Sequence, residues 1–378
     1  MFTFGATEDV QELVKKSDYE RLVNEFGAKF INDEIISSFR KPHKFLLMKL
    51  FYAHRDLDLY LKERLNGKPV SIVSGRGPSN YMHIGHLVIF EFVKWLQDEL
   101  DAEVYIPLSD DEKYVFGKVK SLNQAYTYAI DNALDLIALG FKEGKTFFFV
   151  STRLSEIYEL SVTLSRYLTF NTVRATFGLE GEGVNSGVVF YAAVQAAHIL
   201  LPTAKKGLFV LVPIAMDQDP YMRLTRDIAV KAGFRKPAAV YSKYISGLTR
   251  EPMSASKPET SVFLIDSEEE VRKKIWTAFT GGRPTVEEQR KFGGNPDICV
   301  VYEWLKVFIF KDLKTMDEHA RKCRNGELLC GECKRMLAEG LIKKLAEHKA
   351  RKRQALRIID RFFLHEIEIP EEIIKLLE

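Results

Sequence analysis

The chain holds 378 residues, 46% hydrophobic and 28% charged, a balance ordinary for a globular protein with length for two or three domains. Its net charge of +3 is too small to point to nucleic acid by itself. No secretory leader pattern and no run of about eighteen apolar residues is found, so secretion and membrane spanning are disfavoured and a cytoplasmic protein is expected.

Residues 1–66 read as a helical extension, with Val10, Leu13 and Val14, then Leu46, Leu47, Leu50 and Phe51, at helical spacing. Over 67–267, short apolar runs at 70–73, 104–108, 147–150, 208–214 and 262–265 alternate with helical patterns. That alternation predicts an α/β fold with a doubly wound, Rossmann-like parallel sheet. Ligands in such sheets sit at the carboxyl ends of strands, here near Gly75, Ser109 and Ala215. A helical stretch at about 154–204 interrupts the alternation. Residues 268–378 show no strand pattern and read as an all-helical domain.

Three groups of residues carry chemistry. Gly75-Arg76-Gly77-Pro78-Ser79-Asn80-Tyr81-Met82-His83-Ile84-Gly85-His86 follows the run at 70–73 and precedes a helical pattern at 87–100. Glycine lets backbone approach a ligand, and a helix start offers free N–H groups to an anion. The two imidazoles can hydrogen-bond phosphate while a base lies against Gly85. Pro252-Met253-Ser254-Ala255-Ser256-Lys257 forms a polar turn downstream. The four cysteines, Cys299, Cys323, Cys330 and Cys333, are separated by twenty-three, six and two residues. Without a secretory context this spacing favours metal ligation over disulfides; four thiolates suit an iron–sulfur cluster or tetrahedral zinc.

The glycine–histidine stretch read with 252–257 resembles the two signature motifs of class I aminoacyl-tRNA synthetases. Asp110-Asp111-Glu112-Lys113-Tyr114, Ala193-Val194-Gln195-Ala196-Ala197, Asp217-Gln218-Asp219-Pro220-Tyr221, Leu224-Thr225-Arg226-Asp227, Gly281-Gly282-Arg283 and Phe292-Gly293-Gly294-Asn295 narrow it to tryptophanyl-tRNA synthetases of the archaeal and eukaryotic branch. The resemblance runs from about Phe26 to the C-terminus. It implies ATP-dependent activation of L-tryptophan and its transfer to tRNA(Trp), with Mg²⁺, in a homodimer without membrane attachment. It makes 268–378 the anticodon-binding domain, 154–204 a contributor to the amino-acid pocket and dimer interface, and 42–56 a cover beside the active site. His83, His86, Ser254, Ser256 and Lys257 are the implied catalytic residues. Arg76, Gly77, His83, Gly85, His86, Val212, Asp217, Met253 and Lys257 are implied for ATP, and Gly75, Glu112, Gln195 and Gln218 for tryptophan. The cysteine spacing is similar to that of a [4Fe-4S] motif in some family members.

Three departures from the family pattern stand out. Val73 and Pro107 occupy the positions of a tyrosine and a glutamine that contact the indole N–H, and neither side chain accepts a hydrogen bond. A buried N–H left unpaired costs about 1–3 kcal/mol. His198 aligns with an aspartate that accepts this N–H in bacterial members, so it is either the substitute acceptor or a core histidine satisfied by backbone. Pro252 stands where the signature loop usually carries its first lysine, leaving Lys257 or Arg250 to meet the triphosphate. These departures keep two other functions open: activation of a different aromatic amino acid, and non-catalytic tRNA binding.

Overall fold

The computed structural model describes residues 16–179 and 184–377. Seven strands form one sheet: β1 (Lys29–Phe30), β2 (Phe51–Arg55), β3 (Val70–Val73), β4 (Glu103–Leu108), β5 (Thr146–Val150), β6 (Phe209–Ala215) and β7 (Ala238–Ser242), ordered β1-β2-β7-β6-β3-β4-β5. Strands β7, β6, β3, β4 and β5 run parallel, whereas β2 joins β7 antiparallel and β1 joins β2 antiparallel. The parallel five begin at the centre with β3, grow outward through β4 and β5, then restart beside β3 with β6 and β7. This is the doubly wound order, and its switch point lies between β3 and β6. Both faces of these strands are covered, which is why they read as continuous apolar runs rather than alternations.

The helices that position the site are α1 (Ile84–Leu100), α2 (Asp110–Val115), α3 (Leu122–Ile137), α4 (Ser155–Ser165), α5 (Ser186–Lys206), α6 (Asp219–Lys231), α7 (Glu268–Thr277), α8 (Leu313–Arg324) and α9 (Cys330–Ala355). One core packs α1, α3 and the C-terminal helices on one sheet face; another packs α4, α5 and α6 on the opposite face. Helix α5, 21 residues at mean hydropathy 1.4, is long and apolar enough to cross a membrane, but Tyr191, Val194, Leu200 and Leu201 bury it in the second core. The C-terminal tail covers edge strand β5: Leu364 N donates to Phe148 O (2.9 Å) and Val150 N to His365 Nε2 (2.9 Å).

Three expectations need correction. The run at 262–265 is not a sheet strand; it lies antiparallel to 82–84 through a single bridge between His83 and Phe263. Ile84 N donates to Val262 O and Leu264 N to Met82 O, each at 2.9 Å, so its apolar side chains bury against the glycine–histidine motif. The extension is not helical throughout, because β1 and β2 lie within it. Leu46 and Leu47 end the short helix Lys44–Leu47, Lys49 turns to φ 56°, and Phe51 opens β2. Val10, Leu13 and Val14 lie outside the described residues. Strand β7, finally, was not expected: two alanines give it little strand character.

Candidate active site

The site grows from the β3/β6 switch point. Beyond β3 the backbone keeps pairing with β4, since Ser74 N donates to Tyr105 O (3.2 Å) and Arg76 N to Pro107 O (2.8 Å). The chain then turns to meet the N-terminus of α1, with His83 as the residue before its first turn. His83 N donates to His86 Nδ1 at 3.1 Å. The accepting nitrogen must be unprotonated, so His86 carries its proton on Nε2, free to donate outward. The two rings stack at 3.7 Å. Burial, then the Arg76 charge, pushes His83 down to about 3 and His86 well below its ordinary value, so both are neutral at pH 7. Burial also lowers the Arg76 guanidinium to about 10.

Residues 252–257, distant in sequence, meet this turn at Gly85. A Cβ there would stand 2.7 Å from Met253 Sδ and 3.1 Å from the His83 ring, so the two segments touch at this glycine and a larger residue would displace the Met253 side chain. Ser254 N donates to Thr260 Oγ1 (3.0 Å), and Ser254 Oγ lies 2.9 Å from Ser256 Oγ. Lys257 Nζ pairs with Glu251 at 2.8 Å, both partly exposed, an arrangement of small energy that does not fix the lysine. Arg250 turns elsewhere, its guanidinium 4.9 Å from the Phe279 ring centre.

On the other side of the switch point, Glu112 and Lys113 pair at 2.6 Å over Gly77. Asp111, buried beside Asp110, is raised to about 7 and accepts from Tyr158 Oη (3.0 Å) and Glu112 N (2.8 Å). Gln218 donates to Asp217 (2.9 Å) just beyond β6, and Gln195 is half-buried on α5. Gly75 lies against Pro107, with Val73 buried one residue before Ser74. His198, 3% exposed, places Nε2 2.9 Å from Ser151 Oγ, and burial lowers it to about 3. Val212 lies three residues inside β6, paired with Ala239 and 3% exposed.

One contact of the site was not foreseen, although the segments it joins, 42–56 and 217–221, had both been singled out. Arg55, at the end of β2, donates to both oxygens of Asp219 (2.8 and 3.0 Å), and Tyr241 Oη donates to Asp219 at 2.6 Å. Asp219 follows Gln218 directly, so the extension anchors the loop beyond β6. Tyr191 was also missed; its phenol lies beside Ser109 and Glu112, and burial raises it.

The four cysteines line one small, partly open cavity of about 20 Å³, together with Gly282 and His319. Cys299 precedes the turn Val300–Trp304, Cys323 lies in the last turn of α8, and Cys330 and Cys333 occupy the first turn of α9. A Cβ on Gly282 would come 2.3 Å from Cys330 Sγ. All four are free thiols. Burial and the neighbouring thiols raise Cys333 to about 12 and Cys323 in the same direction. Among the described residues no three His, Cys, Asp or Glu side chains converge tightly enough to hold a metal ion. That holds for the cluster and for its zinc alternative alike.

A doubly wound sheet with a glycine turn, paired neutral imidazoles at a helix start, and a serine-rich loop closing on Gly85 defines a class I nucleotide-activating α/β enzyme. The family model for class I tRNA synthetases (W and Y) matches residues 65–346. A tryptophan–tRNA ligase from Thermococcus kodakarensis is 42% identical over 362 residues, covering 94% of this chain and 92% of that protein. One from Pyrobaculum arsenaticum is 43% identical over 361 residues, covering 93% and 96%. The crystal structure of tryptophanyl-tRNA synthetase from Aeropyrum pernix superposes with TM-score 0.87 at 31% identity, covering 95% of this chain and all of that one (100%). The chain belongs to the class I tRNA synthetases, in the tryptophanyl-tRNA synthetase group.

Proposed function

We propose that the chain activates L-tryptophan with ATP and transfers the tryptophanyl group to tRNA(Trp). The observation that carries this is the contact of both signature segments at Gly85 and Met253, beside the switch point of the sheet. The tryptophan carboxylate attacks the α-phosphate in line, pyrophosphate leaves, and the adenylate then acylates the terminal ribose of tRNA. Neutral His86, donating from Nε2, and the turn N–H groups stabilise charge growing on phosphate oxygens. Ser254, Ser256 and Lys257 hold the departing phosphates, Lys257 swinging from Glu251 to replace the lysine lost at Pro252. Magnesium, bound with ATP, offsets charge on the triphosphate. Glu112 and Gln195 hold the substrate ammonium, Gln218 its polar end and Asp217 the ribose. With Val73 and Pro107 unable to accept, we assign the indole N–H to the His198–Ser151 pair. Amino-acid-dependent ATP–pyrophosphate exchange across the twenty amino acids tests the reading. Exchange with tyrosine or phenylalanine but not tryptophan would overturn the specificity; none at all would leave the non-catalytic alternative.

The reading divides the chain into an extension (1–66), a catalytic domain (67–267) with a dimer-forming insertion near 154–204, and an anticodon-binding domain (268–378), working as a cytoplasmic homodimer. It extends to the thiols: Cys299, Cys323, Cys330 and Cys333 would hold a [4Fe-4S] cluster, which supplies a structural cross-link there. What supports this reading is that the fold brings the four thiols of distant segments around one cavity. Anaerobic purification with iron, sulfide and zinc analysis tests this; four titratable thiols and no metal would sink it.

A further inference from the structure

Helix α9 begins at the thiol cavity and, at 26 residues, runs about 39 Å back along the catalytic domain. Its far half carries His348 and Lys352, one turn apart, facing Asp135 and Asp131, one turn apart on α3. His348 Nε2 lies 2.9 Å from Asp135 Oδ1; Lys352 Nζ lies 2.7 Å from Asp131 Oδ1 and 2.9 Å from Asp135 Oδ2. None of the four is more than 3% exposed. Buried ion pairs of this kind add little net stability, because desolvation offsets attraction; their best-attested use is to fix register between elements. An apolar seam tolerates a one-turn slip of about 5.4 Å, whereas this pairing does not.

What the register fixes is visible on α3. Between the two aspartates, Asn132 Nδ2 donates to the backbone carbonyl of Asn80 at 3.2 Å. Tyr128, also on α3, packs edge-on against Tyr81 at 5.5 Å, and the Tyr81 phenol lies in the fields of Asp131 and Lys352. Asn80 and Tyr81 lead directly into Met82 and His83. Helix α9 also grips α1, the helix that follows His83, through Lys344 Nζ and Glu91 Oε1 at 2.5 Å. One helix therefore holds the phosphate-binding turn from behind and from its downstream end.

We propose that Asp131, Asp135, His348 and Lys352 are positioning residues for ATP, a register lock that sets Asn80–His83 against the nucleotide through α3. The proposal rests on the ATP-binding reading of His83 and His86. The lock ties nucleotide affinity to the seat of the C-terminal helical domain, so a shift of α9 at its cysteine-bearing end alters the geometry that ATP meets.

The test uses the full-length protein and three substitutions. Lys352→Met should raise the ATP KM in pyrophosphate exchange about tenfold, the scale of one buried hydrogen bond, with the tryptophan KM changed less than about twofold. Lys352→Arg, which keeps the charge, should recover most of that loss. Because Lys352→Met also lowers stability, Asn132→Ala supplies the independent arm. It removes the link to the Asn80 carbonyl while leaving the Lys352 pairing in place, should reproduce the ATP effect, and should combine with Lys352→Met less than multiplicatively. Destabilised Lys352→Met with unaltered ATP KM, or Asn132→Ala indistinguishable from the parent, would show a brace and nothing more. Titration calorimetry of ATP onto parent and variants reads the lock even without exchange, so failure of the functional reading stays separate.

Discussion

Replacing Arg55 by methionine probes how the extension holds the substrate loop. Arg55 and Asp219 are 9% and 3% exposed at the side chain, and the guanidinium meets both carboxylate oxygens. Deleting one partner of a buried pair costs about 3–5 kcal/mol, mostly from stranding the other charge. Here Asp219 keeps the Tyr241 hydroxyl at 2.6 Å, and Arg223 Nε stands 3.0 Å away as an ion pair without an aligned hydrogen bond. The loss should therefore sit near the lower end, about 3 kcal/mol. Urea unfolding measures it, with Lys68→Met as the control. The Lys68–Glu63 pair is 3.3 Å apart with the lysine 63% exposed, and its removal should cost less than about 1 kcal/mol. The double variant Arg55→Met/Asp219→Leu should regain much of the stability, because no buried carboxylate is then stranded and Arg223, 42% exposed, remains hydrated. Since Gln218 precedes Asp219, the single variant should also raise the tryptophan KM more than it lowers kcat. Coincident unfolding curves for Arg55→Met and Lys68→Met, with unchanged tryptophan KM, would refute the anchoring argument.

Lys257→Ala should slow pyrophosphate exchange about 10²-fold, the scale of one lost oxyanion donor, with tryptophan affinity nearly unchanged; a parental rate would make this lysine a surface charge. His198→Leu should weaken tryptophan more than a benzothiophene analogue lacking the N–H, as should Ser151→Ala to a lesser degree, and equal losses for both ligands would reduce the pair to packing. Acid should destabilise the protein from about pH 6.5 downward, earlier than ordinary carboxylates require. Folding depresses His54, His83, His86 and His198, so between their unfolded value near 6.5 and their folded values the unfolded chain binds more protons and stability falls with pH. Asp111 opposes this: raised to about 7, it is protonated in the folded state first and adds stability as pH falls from there toward 3.8. Unfolding at pH 5 should then take up about three net protons, read from the slope of unfolding free energy against pH; a flat profile between pH 6.5 and 5 would contradict the burial of these imidazoles.

The parallel strands were legible because a strand covered on both faces needs an unbroken apolar run, and 70–73, 104–108 and 147–150 supply one. The same logic misled at 262–265, where an equally apolar run is buried by the glycine–histidine motif instead of by sheet neighbours. The extension failed for a related reason. Leu46, Leu47, Leu50 and Phe51 satisfy helical spacing, but the left-handed turn at Lys49, which sends Phe51 into β2, leaves no mark on hydrophobic pattern.

The site divides along the same line. Residues that chemistry needs side by side in the chain, such as His83, Gly85 and His86, or Asp217 and Gln218, form local text that can be read. The groups that aim them are dispersed: Arg55 against Asp219, Asn132 against Asn80, Lys352 against Asp131. A single polar residue in an element reads as a solvated face until the partner's position in space is known. The cysteines fall between these cases. Their spacing announced a shared purpose, and the fold gathers all four around one cavity, but the distances between sulfurs that separate one ion from a cluster are set by the seating of α8 against α9, which spacing does not encode.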